Sequence, residues 1–400
     1  MKAMKKTLLA AAMSVVAATG VQAAGVSNDV VKIGVLADMG GVYADICGQG
    51  CVTAVEMAVE DFGGTVLGKP IEIVSADDQN KPDVGSAKVR QWIEDENVDV
   101  VTGLVASSVT GAVTKVLTDA KKIALISASA SNAFTTKACS PYNAHWTYNV
   151  AALANGTVKQ MVNSGKKKWF FITADYAFGH ALEGIATKVI ESSGGEVVGA
   201  VRAPLGTTDF SSYVLQAQAS GADVVGLANA GADFVNSLKT SAEFGLTETA
   251  DVAGLLVFTP NAQALDPAIA AGMKATTGFY WDMDDQTREW SARFKARHGA
   301  IPAMPHAGAY SMTMHYLNAI KAAGTDESDA VMKQMKASKP DDFFARNAYL
   351  RNDGRMVHDM LLVSIKDAAS RKSADDIYKI ESVIPGDEAF NPMLPECDFK

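Results

Sequence analysis

Short runs of β-branched and other apolar residues alternate along most of the chain with amphipathic segments of helical length. Fully apolar strands that alternate with helices are typical of βαβ units, in which helices cover both faces of a parallel sheet. The runs fall into two series of four, so the pattern predicts an α/β fold with two similar lobes. The predicted strands are Val31–Leu36, Ile71–Ala76, Val98–Leu104 and Ile123–Ser127, then Trp169–Ala174, Glu196–Arg202, Ala222–Leu227 and Val252–Phe258.

The alternation breaks down in the last third of the chain. Longer helical patterns are predicted there over Thr287–His298, Tyr310–Ala323 and Asp329–Ala337. Further on, Asn352-Asp353-Gly354 lies between two apolar segments, Ala348–Leu350 and Met360–Ile365. Because Asp-Gly favours the tight turns of β-hairpins, we expect these two segments to pair with each other.

The first 23 residues have the layout of a secretory signal peptide. Three lysines precede an apolar run from Leu8 to Ala18, and Val21-Gln22-Ala23 supplies short side chains before a cleavage site. The run is too short for a membrane-spanning helix, which needs roughly 20 apolar residues. We therefore expect cleavage after Ala23 and export of the rest of the chain.

Composition narrows the class of protein further. Acidic residues outnumber basic ones by 45 to 36, so the formal net charge is −9 at pH 7. Nucleic acid is not an expected partner, because binding to phosphates needs a basic face. The sequence contains no G-x-x-x-x-G-K-[ST], H-E-x-x-H or G-x-S-x-G motif, and its six histidines lack the spacing of metal ligands. We therefore expect no cofactor, no metal and no catalytic residue.

Four cysteines follow the expected cleavage site, in a compartment where disulfides are allowed. Four cysteines permit three pairings, and the sequence does not choose between them. Because Cys47 and Cys51 are close in sequence, our hypothesis pairs them and leaves Cys139 with Cys397.

Small hydroxylated residues follow two neighbouring strands of the first series. Ser107 and Ser108 come after the third strand, and Ser129 and Ser131 come after the fourth. In open α/β sheets, ligands bind beyond the carboxyl ends of the strands, where helix N-termini offer N–H groups to an anion. These serines are therefore candidates for binding a carboxylate; the alternative is that each caps its helix.

Aromatic and small polar residues follow the strands of the second series. Aromatic rings with a few polar groups are what a cleft for a small molecule requires. Core packing is the alternative for Phe258. The candidates are Tyr176, Phe178, Asn229, Ala230, Phe258, Tyr280, Trp281 and Asp282.

With these segments in place, the chain resembles the type I periplasmic solute-binding proteins of ABC importers, in the group of leucine/isoleucine/valine-binding proteins. The resemblance covers nearly the whole chain after the signal peptide. It is carried by Val31-Lys32-Ile33-Gly34-Val35 with Tyr43, and by Ala54–Gly64, Leu104–Thr110, Ile126–Thr136, Asp175–Gly179, Ala228–Gly231 and Gly278–Asp282 with Arg288.

The resemblance implies two Rossmann-like lobes with parallel sheets, joined by a three-stranded hinge that closes on a ligand. Lobe 1 would comprise residues 27–148 and 283–338, and lobe 2 would comprise residues 149–282 and 339–400. It implies a monomer in the periplasm that captures a small carboxylate-bearing solute and delivers it to a membrane permease. The carboxylate clamp would fall on Ser107, Ser129 and Ser131, with Tyr43 beside it and Tyr176 and Phe178 opposite.

One departure from the family leaves the ligand open. Amino-acid binders of the family carry an acid just after the fourth strand of lobe 2, where this chain has Phe258-Thr259-Pro260-Asn261. Asp282, Asp175 or Asp233 would have to meet the ammonium group of an amino acid, and the alternative for Asp282 is a helix cap. Otherwise the ligand is an aromatic or other organic acid without an α-amine. A ligand sensor and a hydrolase of exported amides are the rival functions from other classes.

Overall fold

The apolar runs of the first series form one sheet in the computed structural model, which describes residues 25–399. The predicted signal peptide, residues 1–23, lies outside the described residues. The strands are β1 (Val31–Ala37), β2 (Thr65–Val66), β3 (Lys69–Asp77), β4 (Val100–Gly103), β5 (Ile123–Ile126) and β6 (Asn143–His145). Their order is β2-β3-β1-β4-β5-β6, and all neighbours are parallel except the pair β2–β3.

Three helices connect these strands: α1 (Gly48–Phe62), α2 (Pro82–Asp95) and α3 (Ser107–Asp119). Each buries an apolar stripe against the sheet, as amphipathic connections of a parallel sheet do. The fit is close where Trp92 of α2 lies over Gly34 of β1, since a Cβ at residue 34 would come within 2.7 Å of the indole ring. Helices thus alternate with the strands of this lobe, as the sequence pattern predicts.

The second series forms a second parallel sheet, in the order β10-β9-β7-β8 once its strands are numbered along the chain. The strands are β7 (Lys168–Ala174), β8 (Glu196–Ala203), β9 (Val224–Ala228) and β10 (Asp251–Gly254). As in lobe 1, where β1 lies between β3 and β4, the first strand of this lobe, β7, lies between β8 and β9. The helices are α4 (Val150–Leu153), α5 (Lys159–Asn163), α6 (Ala177–Ser192), α7 (Ser211–Ala219), α8 (Gly231–Glu243), α9 (Leu246–Thr249), α10 (Thr259–Gln263) and α11 (Pro267–Ala270), with a π-helical turn at Ala154–Val158 between α4 and α5.

The chain then returns to lobe 1 and crosses over once more. After β11 (Lys274–Thr277), the helices α12 (Asp285–His298) and α13 (Met304–Ala323) pack against α1, and α14 (Ser328–Ala337) packs against α13. The remaining elements are β12 (Tyr349–Leu350), β13 (Met356–Val357), β14 (Met360–Ile365), β15 (Tyr378–Ile384) and α15 (Gly386–Ala389). Three segments therefore pass between the lobes, which we call the first (residues 146–149), second (residues 278–284) and third (residues 351–359) crossovers.

The hairpin expected at Asn352-Asp353-Gly354 is present, but the prediction that Met360–Ile365 is its second strand is wrong. The turn joins the two-residue strands β12 and β13. Strand β14 instead lies in the middle of an antiparallel sheet, between β11 and β15. All six side chains of β14 are buried, and a strand that is apolar on both faces is accommodated better in the middle of a sheet than in a two-stranded hairpin.

The last part of the chain is divided between the lobes, although we expected residues 339–400 to belong to lobe 2 as one piece. Strands β14 and β15 pair with β11 of lobe 2. The β12–β13 hairpin contacts α14, and the backbone of Arg355 forms an isolated parallel β-bridge with that of His145 in β6. Both predicted disulfides are present, Cys47–Cys51 and Cys139–Cys397, and the second ties the end of the tail covalently to lobe 1.

Helix length and hydropathy also bear on how the chain relates to a membrane. Between residues 25 and 399, no helix combines the length and the apolar character required to cross a bilayer.

Candidate functional site

A narrow cavity lies where the carboxyl ends of the two parallel sheets face each other. It has room for only about 10 Å³, about the space that one water molecule needs and far below the roughly 300–1,000 Å³ typical of sites for drug-sized ligands. Loops after β1, β4, β5 and β6 supply one wall, and loops after β7, β9 and β10 supply the other. The lining residues are Tyr43, Ile46, Val105, Ala128, Ala130 and Tyr148 from lobe 1, and Tyr176, Phe178, Ala230, Leu256 and Phe258 from lobe 2.

The lining is almost wholly apolar and aromatic. None of the residues that line this cavity in the described chain carries a carboxylate, an ammonium or a guanidinium group. Its polar side-chain groups are the phenols of Tyr43, Tyr148 and Tyr176. Burial raises the pKa of all three, so the rings remain neutral at physiological pH.

Two of these phenols meet across the gap between the lobes. The hydroxyl oxygens of Tyr43 and Tyr176 are 2.5 Å apart, which joins lobe 1 to lobe 2 at the edge of the cavity. The third phenol, Tyr148, donates to the carbonyl oxygen of Ala128, and its ring packs edge-on against Phe258 at 5.8 Å.

The loop that carries Tyr43 is held by a buried carboxylate. Asp38 accepts hydrogen bonds from the backbone N–H groups of Gly41 at 2.6 Å and Tyr43 at 2.9 Å. Asn80, at the end of the neighbouring strand, donates its side-chain amide to the same carboxylate. The sequence therefore fixes the position of Tyr43 through backbone hydrogen bonds before any ligand is present.

The serines after β4 and β5 take different roles. The hydroxyl oxygens of Ser107 and Ser129 are 3.0 Å apart in a buried position, beside the lining residues Val105, Ala128 and Ala130. Ser107 is the first residue of α3, where the N–H groups of the first turn lack partners within the helix.

The other two candidate serines do not join this pair. Ser131 caps the 3₁₀ turn Asn132–Thr135, with its hydroxyl accepting from the N–H of Ala133 at 3.2 Å. Ser108 lies half-buried one residue further along α3. Of the four serines, Ser107 and Ser129 are therefore the two whose hydroxyls face each other at the site.

Four other candidates do not line the cavity. Tyr280 and Trp281 turn toward the last sheet, where Tyr280 packs against Tyr378 and the indole of Trp281 donates to the carbonyl oxygen of Asp375 at 2.8 Å. Asp282 forms an ion pair with Arg288 at 2.7 Å. Asn229 is buried at the end of β9 and donates to the hydroxyl of Ser237.

Several lining residues were missed by the sequence reasoning. Ile46, Val105, Ala128, Ala130 and Leu256 are small or aliphatic, and nothing in their type separates them from core residues. Tyr148 follows β6, a strand of three residues that is too short to stand out in the hydrophobic pattern.

A buried carboxyl group, Asp233, lies close to the interlobe contact, in the first turn of α8. Its Oδ2 accepts from the N–H of Gly206 at 3.1 Å, and among the described residues its Oδ1 has no hydrogen-bond partner. Burial raises the pKa of this carboxyl to about 6. Asp233 therefore retains one carboxylate oxygen that is free to accept a hydrogen bond. In addition to burial, its charge helps to raise the pKa of Tyr43 and Tyr176, which places it near these two phenols.

The start of α8 also touches lobe 1 directly. Gly231 has a φ of +62°, and a Cβ there would come within 2.4 Å of the carbonyl oxygen of Val42. The next residue, Ala232, donates its N–H to that same oxygen at 3.3 Å. The absence of a side chain at Gly231 thus permits the close approach of the two lobes.

Two α/β lobes closed over an aromatic cavity, with a cluster of hydroxyl groups on one side, define a protein that encloses a small ligand rather than one that transforms it. A family model described as periplasmic binding protein matches residues 30–371, and the chain belongs to this family. The predicted fold class, the type I fold of that family, is confirmed, as is the expectation that the chain is a binding protein and not an enzyme.

Solved structures agree with this assignment. A periplasmic binding protein from Burkholderia mallei is 43% identical, with a TM-score of 0.90 over 93% of this chain and 98% of that chain. A branched chain amino acid ABC transporter periplasmic ligand-binding protein from Burkholderia xenovorans is 37% identical, with a TM-score of 0.81 over 90% and 97% of the two chains. A solute-binding protein from Rhodopseudomonas palustris, in complex with 3,4-dihydroxybenzoic acid, shares the fold at 21% identity, with a TM-score of 0.81 and coverage of 90% and 98%.

These likenesses confirm the resemblance to the branched-chain amino-acid binding group of ABC transporters. The protein is a periplasmic substrate-binding protein of an ABC transporter. Such proteins bind small-molecule ligands and dock to a membrane permease.

Proposed function

We propose that this chain captures a small carboxylic acid that has an apolar or aromatic body and no α-amine, and delivers it to its permease. The observation that carries this proposal is the uncharged lining of the cavity. An ammonium group enclosed there without an anionic partner would lose its hydration, at a cost of several kcal/mol. A neutral apolar body incurs no such cost.

The carboxylate end of such a ligand has suitable donors on the lobe 1 side. The hydroxyls of Ser107 and Ser129 and the free N–H groups at the start of α3 are all hydrogen-bond donors. Hydrogen bonds to a charged group contribute about 1.5–3 kcal/mol each. The rings of Phe178 and Phe258 supply the apolar surface for the other end of the ligand.

Asp233 favours a second candidate, a branched-chain amino acid. Its Oδ1 is a buried carboxylate oxygen that has no hydrogen-bond partner among the described residues, and it lies close to the interlobe contact. The similar protein from Burkholderia xenovorans is a branched chain amino acid ABC transporter periplasmic ligand-binding protein. For this candidate, the ammonium group of the ligand would pair with Asp233 on closure.

A pair of ligands that differ only in the amine separates the two candidates. Leucine and 4-methylpentanoate share the carboxylate and the branched chain, and benzoate with phenylalanine extends the test to aromatic acids. A ligand at 100 times its Kd stabilises the folded protein by about 2.7 kcal/mol, which thermal unfolding detects. We expect 4-methylpentanoate or benzoate to raise the Tm and leucine and phenylalanine to leave it unchanged, with calorimetric titration giving the affinities.

Binding of leucine without binding of 4-methylpentanoate would contradict the amine-free proposal and support the amino-acid candidate. In that case, Asp233→Asn should weaken the binding of leucine by about 2–5 kcal/mol, because the substitution leaves the ammonium group of the ligand unpaired. The same variant should leave an amine-free acid nearly unaffected.

We further propose that the mature protein begins after Ala23 and acts as a monomer in transport rather than in sensing. N-terminal sequencing of the exported protein and light scattering test the first two statements. Uptake of the labelled ligand by a strain that lacks the gene tests the third, since unchanged uptake would favour a sensor.

A further inference from the structure

Three consecutive carbonyl oxygens of the first crossover are held by two side chains of the third crossover. The guanidinium of Arg355 donates to the carbonyl oxygens of Trp146 and Tyr148, the latter at 3.1 Å. Between them, Nε2 of His358 lies 2.6 Å from the carbonyl oxygen of Thr147. Both side chains are buried.

The second crossover meets the same point. A Cβ at Gly278 would lie 3.1 Å from the ring of His358 and 3.4 Å from the carbonyl oxygen of Thr147. All three crossovers therefore come together around His358, at the pivot of any movement between the lobes.

The charge of Arg355 is unusual for a stabilising contact. Its Nε–H group donates to the carbonyl oxygen of Met356 at 2.8 Å, and its guanidinium lies 4.3 Å from the centre of the Phe390 ring. The nearby carboxylate of Asp353 is bound by the guanidinium of Arg351 and by the backbone N–H of Arg355.

Stability alone gives little reason for a cation at this place. Burial lowers the pKa of Arg355 well below its usual value, which reflects the cost of removing a charge from water. Apolar side chains of similar volume often replace buried charges without loss of stability. An apolar side chain cannot hold two carbonyl oxygens of the first crossover at a fixed separation, whereas the planar guanidinium of arginine can.

The segment held in this way, the first crossover, carries a residue of the ligand cavity. Tyr148 lines the cavity, bonds to Ala128 of lobe 1 through its hydroxyl, and packs against Phe258 of lobe 2 through its ring. A change in the backbone at residues 146–148 would therefore move a wall residue that contacts both lobes.

We propose that Arg355 and His358 form a hinge clamp, a pair of positioning residues that fixes the first crossover so that Tyr148 and the interlobe contacts fit together in the closed state. The clamp touches no ligand and acts through Tyr148. The proposal rests on closure around a ligand in this cavity and not on the chemical class of that ligand.

The test is Arg355→Lys in the full chain, followed by hydrogen exchange without added ligand. Lysine keeps the positive charge but presents a point donor that cannot span two carbonyl oxygens. We expect exchange about tenfold faster at two separate places, in keeping with coupling between distant sites. One is the clamped segment, including the N–H of Val150, and the other is the interlobe N–H of Ala232, which bonds to Val42.

Arg351→Lys is the matched control on the same turn. It breaks the paired bonds to Asp353 and the bond to the carbonyl oxygen of Asn391, but within residues 25–399 the guanidinium of Arg351 makes no hydrogen bond to the first crossover. We expect a lower Tm for this variant and unchanged exchange at Ala232.

Faster exchange near residue 146 in Arg355→Lys, with unchanged exchange at Ala232, would reduce the pair to a local structural contact and overturn the proposal. Equal acceleration at Ala232 in both variants would do the same. If Arg355→Lys does not fold, His358→Gln removes the imidazole that contacts the carbonyl oxygens of Thr147 and Asp359 and leaves Arg355 in place. A smaller acceleration at both places is then expected. The dissociation rates of leucine and of 4-methylpentanoate from wild type and variant give a second readout. Whichever probe binds should dissociate faster from the variant.

Discussion

The hydroxyl groups of three serines near the cavity illustrate how one residue type takes two roles. Ser107 and Ser129 face each other at 3.0 Å, and each hydroxyl retains further capacity to bond to a ligand. The hydroxyl of Ser131 accepts a hydrogen bond from the N–H of Ala133 at the start of a 3₁₀ turn. Similar neighbours in sequence thus lead to a candidate ligand contact and a helix cap.

This difference predicts distinct effects for two alanine variants. Ser129→Ala should weaken binding by about 1.5–3 kcal/mol, because one hydrogen bond to a carboxylate is lost. It should also lower the Tm of the free protein, because the buried hydroxyl of Ser107 loses its partner. Ser131→Ala should lower stability by about 1 kcal/mol through the lost cap and leave affinity nearly unchanged. Calorimetric titration with the acid that binds wild type, together with thermal unfolding, measures both quantities.

Residue type and position after a strand predicted part of the cavity. Tyr43, Tyr176, Phe178, Ala230 and Phe258 follow strand ends and lie together in the structure. Position after a strand does not say which way a side chain turns. For this reason, Tyr280, Trp281 and Asp282 have the expected residue types yet contact the last sheet and Arg288 instead.

At the scale of elements, the start of α8 is where lobe 2 touches lobe 1. Gly231 begins this helix with a φ of +62°, which glycine adopts readily and other residues do not. The closed arrangement leaves no space for a side chain there, because the carbonyl oxygen of Val42 would lie 2.4 Å from a Cβ.

Gly231→Ala should therefore oppose closure. The variant incurs a backbone strain of about 1–2 kcal/mol in either state, and in the closed state it adds the clash with Val42. We expect affinity for the ligand to fall by at least about tenfold, a loss of roughly 1.4 kcal/mol. Calorimetric titration gives the affinity, and small-angle scattering with ligand present reports whether the lobes still close.

Gly245→Ala separates strain from closure. Gly245 has a similar φ of +71°, but a Cβ there would meet only the far end of the Glu248 side chain, at 3.9 Å. This control should lower the Tm to a similar degree and leave affinity intact. Equal loss of affinity in both variants would show that strain, and not the contact with Val42, is responsible.

The strands were the most predictable elements and the antiparallel additions the least. Parallel strands buried on both faces read as continuous apolar runs, so all eight predicted strands of the two main sheets are present. The run Val252–Phe258 overestimates β10, which ends at Gly254, because apolar lining residues of the cavity continue the pattern. The pairing of β14 depends on β11, far away in sequence, and no local pattern contains that information.

At the scale of the whole molecule, burial shifts two kinds of titrating groups in opposite directions. Burial lowers the pKa of His306 to about 3 and that of His358 to about 4, and lowers the pKa of His145 as well. Burial raises the pKa of Asp78 and Asp233 to about 6. Unfolding returns all five groups to ordinary values, so stability depends on pH through both sets.

The histidines determine whether the free energy of unfolding rises or falls with pH in mildly acidic solution. As the pH falls below about 6.5, the unfolded chain binds protons at these histidines while the folded protein does not, so the stability is lost progressively. Asp78 and Asp233 act in reverse, because the folded protein binds their protons first as the pH falls from about 6 to 4. Burial also lowers the pKa of His315 and raises that of Asp99. Four buried histidines against three carboxyls leave a net uptake of about one proton on unfolding, worth about 1.4 kcal/mol per pH unit.

We therefore expect the free energy of unfolding to decrease from pH 6.5 to 4.5. Urea denaturation at a series of pH values measures this directly. His306→Asn keeps an acceptor for the N–H of Ala303, which Nδ1 of His306 accepts at 3.0 Å, and removes one titrating group. Its slope should be smaller than that of wild type by about one proton, or about 1.4 kcal/mol per pH unit. Stability that rises as the pH falls toward 5 would mean that the buried carboxyls outweigh the histidines, and would contradict this account of the charge balance in the closed molecule.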